Sequence, residues 1–414
     1  MRNFLIGLSA AAMLAACQTT PVNNFDVAAM DSLLSGAVDS GEIIGVSALV
    51  FDEGQVVYEN AFGLRDRERG DPVELDTVFR IYSMSKPITS ALIMDLVEEG
   101  KISLDDPVSK YIPELADMQV AGVDDNGTPK LSAQTSPMTI EDLLLHRAGL
   151  GYGIFGPMNP VEELYEKAGL FEQGEDLSAK MQKLSRLPLV AQPGDGWYYS
   201  YSIDVLGRVA EVVTDEKFSD LLQDRIFDPL GMKDTGFYVR PDQKPRFASN
   251  YALTENGFVL QEDGQTSEFL TKPEFESGGG GLISTLDDYA AFAQMLLQGG
   301  SYKGVQILKP ETVRLMMSDH MDPDDTFMMS WLGADKNKSF AYGGSIITGD
   351  TEDQIAATGE AEGTYSWGGM ARTNFHVDPN NNAFAVIMLQ YFVQPDPPIH
   401  DAFRALVTQE VRDD

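Results

Sequence analysis

The sequence predicts an α+β fold, an α/β sandwich in which helices flank an antiparallel sheet. Near the N-terminus, two apolar runs at 43–51 and 55–62 enclose a short polar turn and predict a β-hairpin. Near the C-terminus, 364–377 and 383–391 read as two further strands around a Pro-Asn turn. Helical patterns dominate between these two regions. We therefore expect one sheet built from both chain ends and a mostly helical inserted domain.

The helices are predicted from apolar periodicity and from stop signals. In the first of them, Ile88, Leu92 and Leu96 share one face, and Gly100 follows the last periodic residue. The predicted helices are 84–99, 139–146, 205–222, 286–298 and 403–411. The polar, turn-rich segment 119–137 is predicted to be a loop, and 235–275 to be irregular with short strands.

A chain of 414 residues is long enough for one large domain or for two to three ordinary ones. We divide the chain into a leader, a tether, a domain made of two separate segments, and a second domain inserted between those segments. We predict a signal peptide at 1–16, a tether at 17–24, a sheet domain made of 25–118 and 275–414, and a helical insertion at 119–274.

The N-terminus has the features of an export signal. Arg2 is the one charged side chain before an apolar stretch that is too short to span a bilayer. The stretch ends in Leu14-Ala15-Ala16-Cys17, which resembles a bacterial lipobox, and Cys17 is the only cysteine. We predict a lipoprotein anchored to a membrane through lipidated Cys17, on the periplasmic side of the outer membrane. An ordinary signal peptide with a chance cysteine is the alternative.

Composition excludes several classes of function. The chain has 30 Lys and Arg against 64 Asp and Glu, a net charge of −34, which repels nucleic acid. A single cysteine cannot form an intramolecular disulfide, and one cysteine with four histidines offers little material for a zinc site. We expect no metal and no organic cofactor.

The first motif with chemical meaning is Ser83-Met84-Ser85-Lys86, a Ser-x-x-Lys sequence at a predicted helix start. Residues three apart share a helix face, and a serine hydroxyl needs a neighbour that takes its proton before it can act as a nucleophile. If Ser83 is the N-cap, Pro87 is the fourth helical residue, at the limit of the first turn. The alternative is a helix cap followed by a surface lysine.

Two later motifs carry aromatic residues and glycines. Tyr199-Ser200-Tyr201 follows a Pro-Gly turn, and both tyrosines could simply be packing residues. Trp367-Gly368-Gly369-Met370 lies on a late predicted strand, where paired glycines allow a ligand to approach closely or else mark a bulge.

In this order and spacing, the three motifs resemble the serine β-lactamase and penicillin-binding-protein superfamily, most closely family VIII carboxylesterases and the class C branch. The resemblance implies a β-lactamase/transpeptidase-like fold with Ser83 as the acylated nucleophile. It implies that Lys86 and Tyr199 transfer protons, with Tyr199 acting as a phenolate base. The backbone N–H groups of Ser83 and Met370 match the oxyanion hole.

Two departures from the lactamase pattern indicate the substrate. Tyr199-Ser200-Tyr201 stands where that branch has Tyr-x-Asn, and Trp367-Gly368-Gly369 stands where it has Lys-Thr-Gly. Both changes are similar to the family VIII esterases and remove groups suited to an anionic lactam. The resemblance therefore implies a small-molecule carboxylic ester with a short- to medium-chain acyl group as substrate, bound by Tyr201, Trp367, Gly368 and Gly369.

Two other functions remain open at this point. A weak class C-like β-lactamase or D-amino-acid peptidase acting on peptidoglycan-related substrates is compatible with the exported location. The third hypothesis is a non-catalytic sensor or binding module that becomes acylated on Ser83 but does not hydrolyse the acyl group. His146 is expected to be structural rather than catalytic, and the sequence does not predict an oligomeric state.

Overall fold

The structure is a computed structural model. It describes residues 25–412 except for short segments at 124–128, 155–159, 323–327, 330–332, 335–336, 350–354, 356–358 and 393–397. The predicted signal peptide, the tether and Cys17 lie outside the described residues. Their roles, and the predicted domain boundaries, stay predictions.

An antiparallel sheet of eight strands forms the centre of the fold, and its strands come from both ends of the chain, as predicted. The strands are β1 (Gly45–Asp52), β2 (Gln55–Asp66), β3 (Asp71–Pro72), β4 (Lys338–Ala341), β5 (Gly344–Ile347), β6 (Tyr365–Gly368), β7 (Asn374–Asp378) and β8 (Ala383–Met388). Their order across the sheet is β4-β5-β6-β7-β8-β1-β2-β3. The first hairpin therefore pairs with the last strand, and β1 lies directly against β8.

Helices cover both faces of this sheet, and most of them lie in the part of the chain between β3 and β4. They are α1 (Val27–Asp39), α2 (Ser85–Glu98), α3 (Ile140–Leu144), α4 (Pro160–Ala168), α5 (Leu177–Leu184), α6 (Ser202–Thr214), α7 (Phe218–Leu222), α8 (Asp228–Leu230), α9 (Leu286–Leu297), α10 (Pro310–Met316) and α11 (Pro398–Arg412). Smaller ribbons pair Phe79–Arg80 with Ile283–Ser284, Val120–Val123 with Pro129–Ser132, Asn250–Thr254 with Gly257–Glu262 and Tyr391–Phe392, Ser301–Tyr302 with Val305–Gln306, and Met328–Met329 with Gly333–Ala334.

Strand β1 shows why its sequence is a continuous apolar run. Val46, Ala48 and Val50 lie in a buried cluster with residues of α1 and α11. Leu49 and Phe51, which point to the opposite face, join the larger core that contains α2 and α9. Because successive side chains of a strand alternate between faces, a sheet covered on both sides favours apolar residues on both faces of the strand.

Two predicted segments have a different structure from the expected one. The segment 119–137, predicted as a loop, contains the hairpin Val120–Val123 with Pro129–Ser132. The predicted single strand 364–377 is two strands, β6 and β7, because the chain turns back at 369–373 and pairs with itself. The strands of the first hairpin were missed because neither of them alternates cleanly between apolar and polar residues.

The predicted helix 205–222 is two helices with a break between them. Helix α6 begins three residues earlier, at Ser202, and ends at Thr214. Its C-cap, Asp215, adopts the left-handed conformation with φ of 59°, which stops the helix. The hairpin of β1 and β2 and the helix α9 agree with prediction, whereas α1, β4 and β5 were not predicted.

Membrane-spanning helices are absent from the part of the chain that the structure describes.

Candidate active site

Ser83 lies in a 3₁₀ turn, Tyr82–Met84, immediately before α2. The prediction that Ser83 caps the helix is therefore wrong by one residue, because Met84 is the N-cap and Pro87 is the third helical residue. Proline is tolerated there because the first N–H groups of a helix have no intrahelical partner. Tyr82 has a φ of 42°, a strained conformation for a tyrosine, and such strain is concentrated at functional sites.

Lys86, one turn further along, is fully buried and reaches back to the serine. Its Nζ lies 3.1 Å from Ser83 Oγ and 3.2 Å from the hydroxyl of Tyr152, and it donates to the carbonyl oxygen of Gly279 at 2.6 Å. Burial lowers the pKa of Lys86 to about 7, although the negative charge of Asp204 opposes this shift. An uncharged amine is thus accessible at neutral pH.

Tyr199 reaches the same serine from the segment that precedes α6. Its hydroxyl donates to Ser83 Oγ at 2.8 Å, and Lys86 Nζ lies 4.6 Å from the centre of its ring. Burial raises the pKa of Tyr199 well above its usual value, and the contacts with Ser83 and Trp367 reduce this shift only in part. The three residues of the first two motifs therefore meet at one oxygen atom.

His146 holds the segment that carries Tyr199. The backbone N–H of Ser200 donates to His146 Nδ1 at 3.2 Å, and Ser200 Oγ lies 2.9 Å from the same nitrogen. Burial lowers the pKa of His146 well below its usual value, and the charge of Lys86 adds to this. Burial leaves His146 uncharged, and the centre of its ring lies 4.8 Å from that of Tyr199. These contacts are compatible with the structural role that the sequence suggests.

The third motif lies where β6 ends and the chain turns. A Cβ on Gly369 would lie 2.4 Å from the carbonyl oxygen of Ile81, so only glycine fits against the segment that leads to Ser83. Trp367 is buried beside Tyr199, with the two ring centres 5.7 Å apart. Met370 lies at the cavity above Ser83 and is 44% exposed.

Tyr201, a predicted substrate-binding residue, lies outside the cavity. It is fully buried, and its hydroxyl donates to the carbonyl oxygen of Leu170. Its ring packs against Phe171 and Phe275, and both of these line the cavity. Tyr201 therefore supports the wall of the cavity from behind.

Tyr152 is a site residue that the sequence did not reveal. Glu162 Oε2 accepts the backbone N–H groups of Tyr152 at 3.1 Å and of Gly153 at 2.7 Å, which fixes the loop before α4. The ring of Tyr152 packs edge-on to that of Tyr199, and its hydroxyl contacts Lys86. A lone tyrosine between glycines carries no periodic signal, so only its neighbours in space identify it.

A cavity of about 700 Å³ opens above Ser83. Ile154 and Met370 lie at its mouth, and the exposed side chains of Glu268, Lys272 and Glu274 line its rim. Its walls are mainly apolar, and the aromatic side chains among them are Tyr82, Tyr152, Phe171, Phe237, Phe269 and Phe275. This volume is in the range of sites for drug-sized molecules and is larger than a short-chain ester needs.

Within the described residues, the His, Cys, Asp and Glu side chains form no group of three or more that could hold a metal ion.

Comparison with known proteins identifies the family. The sequence model of the family described as Beta-lactamase matches residues 30–409. The chain belongs to the beta-lactamase family. Its resemblance to the serine β-lactamase superfamily is thereby confirmed.

Three relatives illustrate the range of this family. Protein Rv1367c of Mycobacterium tuberculosis is 38% identical over 365 residues, which cover 87% of this chain and 88% of that protein. Esterase EstB of Burkholderia gladioli is 28% identical over 372 residues, with 85% and 87% covered. The solved structure of EstCE1, described as a hydrolase with promiscuous acyltransferase activity, has a TM-score of 0.74 and 27% identity, with 92% and 97% covered.

These relatives place the chain among the beta-lactamase-like serine hydrolases that include esterases and acyltransferases. The predicted fold class is confirmed, since the structural neighbours have beta-lactamase-like and penicillin-binding-protein-like folds.

Proposed function

We propose that the protein is a carboxylesterase that cleaves esters through an acyl-Ser83 intermediate. One observation carries this proposal. Ser83 Oγ lies between Lys86 Nζ at 3.1 Å and the hydroxyl of Tyr199 at 2.8 Å, at the base of a largely apolar cavity. A nucleophile within hydrogen-bond distance of two proton-transfer groups is the arrangement that acyl transfer to serine requires.

Acylation begins with the transfer of the Ser83 proton to Lys86, whose pKa is low enough for the amine to be uncharged. Ser83 Oγ attacks the ester carbonyl carbon, and the carbonyl oxygen becomes an oxyanion. When the carbon–oxygen bond to the alcohol breaks, Tyr199 donates its proton to the departing oxygen. The proton that Lys86 took from Ser83 then restores Tyr199, so the net result is one proton moved from Ser83 to the alcohol.

Deacylation uses the same groups in the reverse sense. Water attacks the acyl carbon, gives its proton to the Lys86 and Tyr199 pair, and Ser83 Oγ takes that proton as it leaves. We propose the backbone N–H groups of Ser83 and Met370 as donors to the oxyanion in both steps.

The charges around the cavity favour a neutral ester. Trp367 occupies the motif position at which the lactamase branch has a lysine, and it is buried against Tyr199 rather than offering a cation. Two of the three charged side chains at the rim, Glu268 and Glu274, are acidic, and the chain has a net charge of −34. An anionic lactam or a free carboxylate is repelled by this field.

A weak β-lactamase or D-amino-acid peptidase is the second candidate. The family match and the serine, lysine and tyrosine arrangement support it, because the same acylation chemistry opens a lactam. The absence of a lysine from the third motif argues against it.

The test is hydrolysis of p-nitrophenyl esters from acetate to decanoate by the wild type and by Ser83→Ala, with a chromogenic cephalosporin assayed in parallel. We expect Ser83-dependent ester turnover, and slow or no cleavage of the cephalosporin. Ser185→Ala, which changes a serine at the end of α5 outside the cavity, is the matched control and is expected to keep its activity. Full ester turnover by Ser83→Ala would contradict the proposal, and faster cephalosporin cleavage would favour the second candidate.

A further inference from the structure

Asp204 is a buried acid close to the site, and the proposed reaction does not use it. It lies in the first turn of α6, five residues after Tyr199, and its side chain is fully buried. Its Oδ1 accepts the hydroxyl of Ser277 at 2.6 Å and the backbone N–H of Gly279 at 3.2 Å. Its Oδ2 has no hydrogen-bond partner among the described residues. A buried carboxylate with one unsatisfied oxygen is costly, so its presence calls for a reason.

The backbone of Gly279 joins this carboxylate to the catalytic lysine. The N–H of Gly279 donates to Asp204 Oδ1, and its carbonyl oxygen accepts from Lys86 Nζ at 2.6 Å. A Cβ on Gly279 would lie 2.6 Å from Asp204 Oδ2, so the carboxylate packs directly against the glycine backbone. The glycine-rich run 278–281 thus allows Asp204 and Lys86 to share one peptide segment.

We propose that Asp204 is a positioning residue that holds Lys86 in its catalytic orientation through the backbone of Gly279. This inference rests on the proposed function, since it assigns a role in the activation of Ser83. A carbonyl oxygen can only accept, so the contact with Gly279 takes one N–H of Lys86. In the uncharged amine, the lone pair is then available to the proton of Ser83.

Asp204 also acts on Lys86 through its charge. The titratable groups that face Lys86 are Tyr152, Tyr199, His146 and Asp204. Burial keeps the two phenols protonated and His146 uncharged, which leaves Asp204 as the anion among these described groups. Burial raises the pKa of Asp204, whereas the hydrogen bond from Ser277, the charge of Lys86 and the N–H of Gly279 favour the carboxylate.

Two substitutions separate position from charge. Asp204→Asn keeps an oxygen that accepts from Gly279 but removes the negative charge, so Lys86 loses the interaction that favours its ammonium form. The value of kcat/KM is expected to rise with pH as Lys86 is deprotonated. In Asp204→Asn we expect this rise to occur about one pH unit lower, with a small change in the plateau value of kcat/KM. Asp204→Ala removes the acceptor as well, and we expect kcat to fall at least about tenfold at every pH with KM nearly unchanged.

The reaction of Ser83 with a fluorophosphonate gives a second readout that needs no ester. Ser83 Oγ bonds to phosphorus, fluoride leaves, and the serine proton passes to Lys86, so the labelling rate follows the same pH dependence. If Ser83 is labelled but no ester is hydrolysed, the proposed function fails while the role of Asp204 is still measured.

Asp288→Asn is the matched control. Asp288 is a buried acid on α9 that accepts from Thr235 and from the N–H of Asp234, and burial raises its pKa to about 6. We expect this substitution to leave the pH dependence of labelling in place. If Asp204→Asn does not fold, as judged by circular dichroism, Ser277→Ala is expected to give a smaller shift in the same direction. An unshifted pH dependence in Asp204→Asn would overturn the inference. If Ser277→Ala is used in its place, an unshifted pH dependence in that variant would do the same. Full activity of Asp204→Ala would also overturn the inference.

Discussion

Burial acts in opposite directions on the pKa values of Lys86 and Tyr199, the two residues that we propose transfer protons. The charged form of lysine is its protonated form, so burial lowers the pKa of Lys86 to about 7. The charged form of tyrosine is its phenolate, so burial raises the pKa of Tyr199. The family resemblance implied a phenolate base, whereas these surroundings favour Lys86 as the proton acceptor and Tyr199 as the proton donor.

Replacement of Lys86 tests this division of roles at the residue scale. Arginine keeps a positive charge but cannot deprotonate, so Lys86→Arg is expected to lose about 10²- to 10⁴-fold in kcat/KM, as Lys86→Ala does. The rates are measured on the best p-nitrophenyl ester of the series. Lys86→Arg with more than a tenth of the wild-type rate would mean that charge, rather than proton transfer, is what the site needs.

A second buried lysine offers a control. Lys180 donates to the carbonyl oxygens of Gly169 and Glu172 in the loop before α5, and it has no contact with Ser83. Lys180→Arg is therefore expected to keep the rate at which a fluorophosphonate labels Ser83.

At the scale of elements, the position of α2 depends on a turn of the sheet. Gly343 lies in the tight connection between β4 and β5 and has a φ of 80°. A Cβ at this position would lie 2.3 Å from Ser90 Oγ and 3.0 Å from the carbonyl oxygen of Lys86. The turn therefore packs against the helix residues beside the catalytic lysine.

Gly343→Ala is expected to lower both stability and activity. The left-handed conformation costs an alanine about 1 kcal/mol, and the clash with α2 adds roughly 1–3 kcal/mol. Gly304→Ala is the matched control, because Gly304 has a φ of 84° and no atom within 4 Å of the added Cβ. Denaturant unfolding should show the smaller loss for Gly304→Ala, and Ser83-dependent turnover should fall only in Gly343→Ala. Equal losses in the two variants would contradict the role of the turn.

The elements also show where a local pattern misleads. The segment 364–377 has the composition of one strand, but Gly368 and Gly369 allow a reversal in which β6 pairs with β7. This reversal places Met370 at the cavity and Gly369 against Ile81. The close approach of Gly369 to Ile81 is not encoded in this short stretch of sequence, because it depends on a residue far away in the chain.

At the scale of the whole molecule, the sheet buries titratable groups on the face opposite the site. His376 on β7 and His400 on α11 are buried, and neither Nε2 has a hydrogen-bond partner among the described residues. Burial lowers the pKa of His376 to about 4 and that of His400 to about 3, and the charge of Arg404 lowers both.

These histidines make the fold sensitive to acid. In the unfolded chain the pKa of each histidine is near 6.5, and in the folded chain it is lower. At pH values between the two, the unfolded chain binds more protons than the folded chain does. The stability from these histidines is therefore fully present above pH 6.5 and is lost as the pH falls. From pH 7 to pH 5, each histidine is expected to reduce the free energy of unfolding by about 2 kcal/mol. Urea unfolding at the two pH values measures this loss.

Variants assign the loss to particular residues. His376→Gln and His400→Gln are each expected to lose less stability than the wild type over the same pH interval. His320→Gln, which changes a half-buried histidine stacked on Tyr342, is the control. Identical losses in all four proteins would show that other groups govern the sensitivity to acid.

The sequence by itself determined the parts of this protein that depend on local pattern. The hairpin of β1 and β2 and the helix after Ser83 follow from periodicity and stop signals, whereas Ser83, Lys86 and Tyr199 were assigned together through the resemblance to a known superfamily. The tertiary structure alone decided that Tyr152 contacts Lys86, that Gly279 lies between Lys86 and Asp204, and that Tyr201 lies behind the cavity wall. The reason is physical: burial and the contacts between segments far apart in the chain set the pKa of a side chain and its access to substrate, and neither is a property of neighbouring residues.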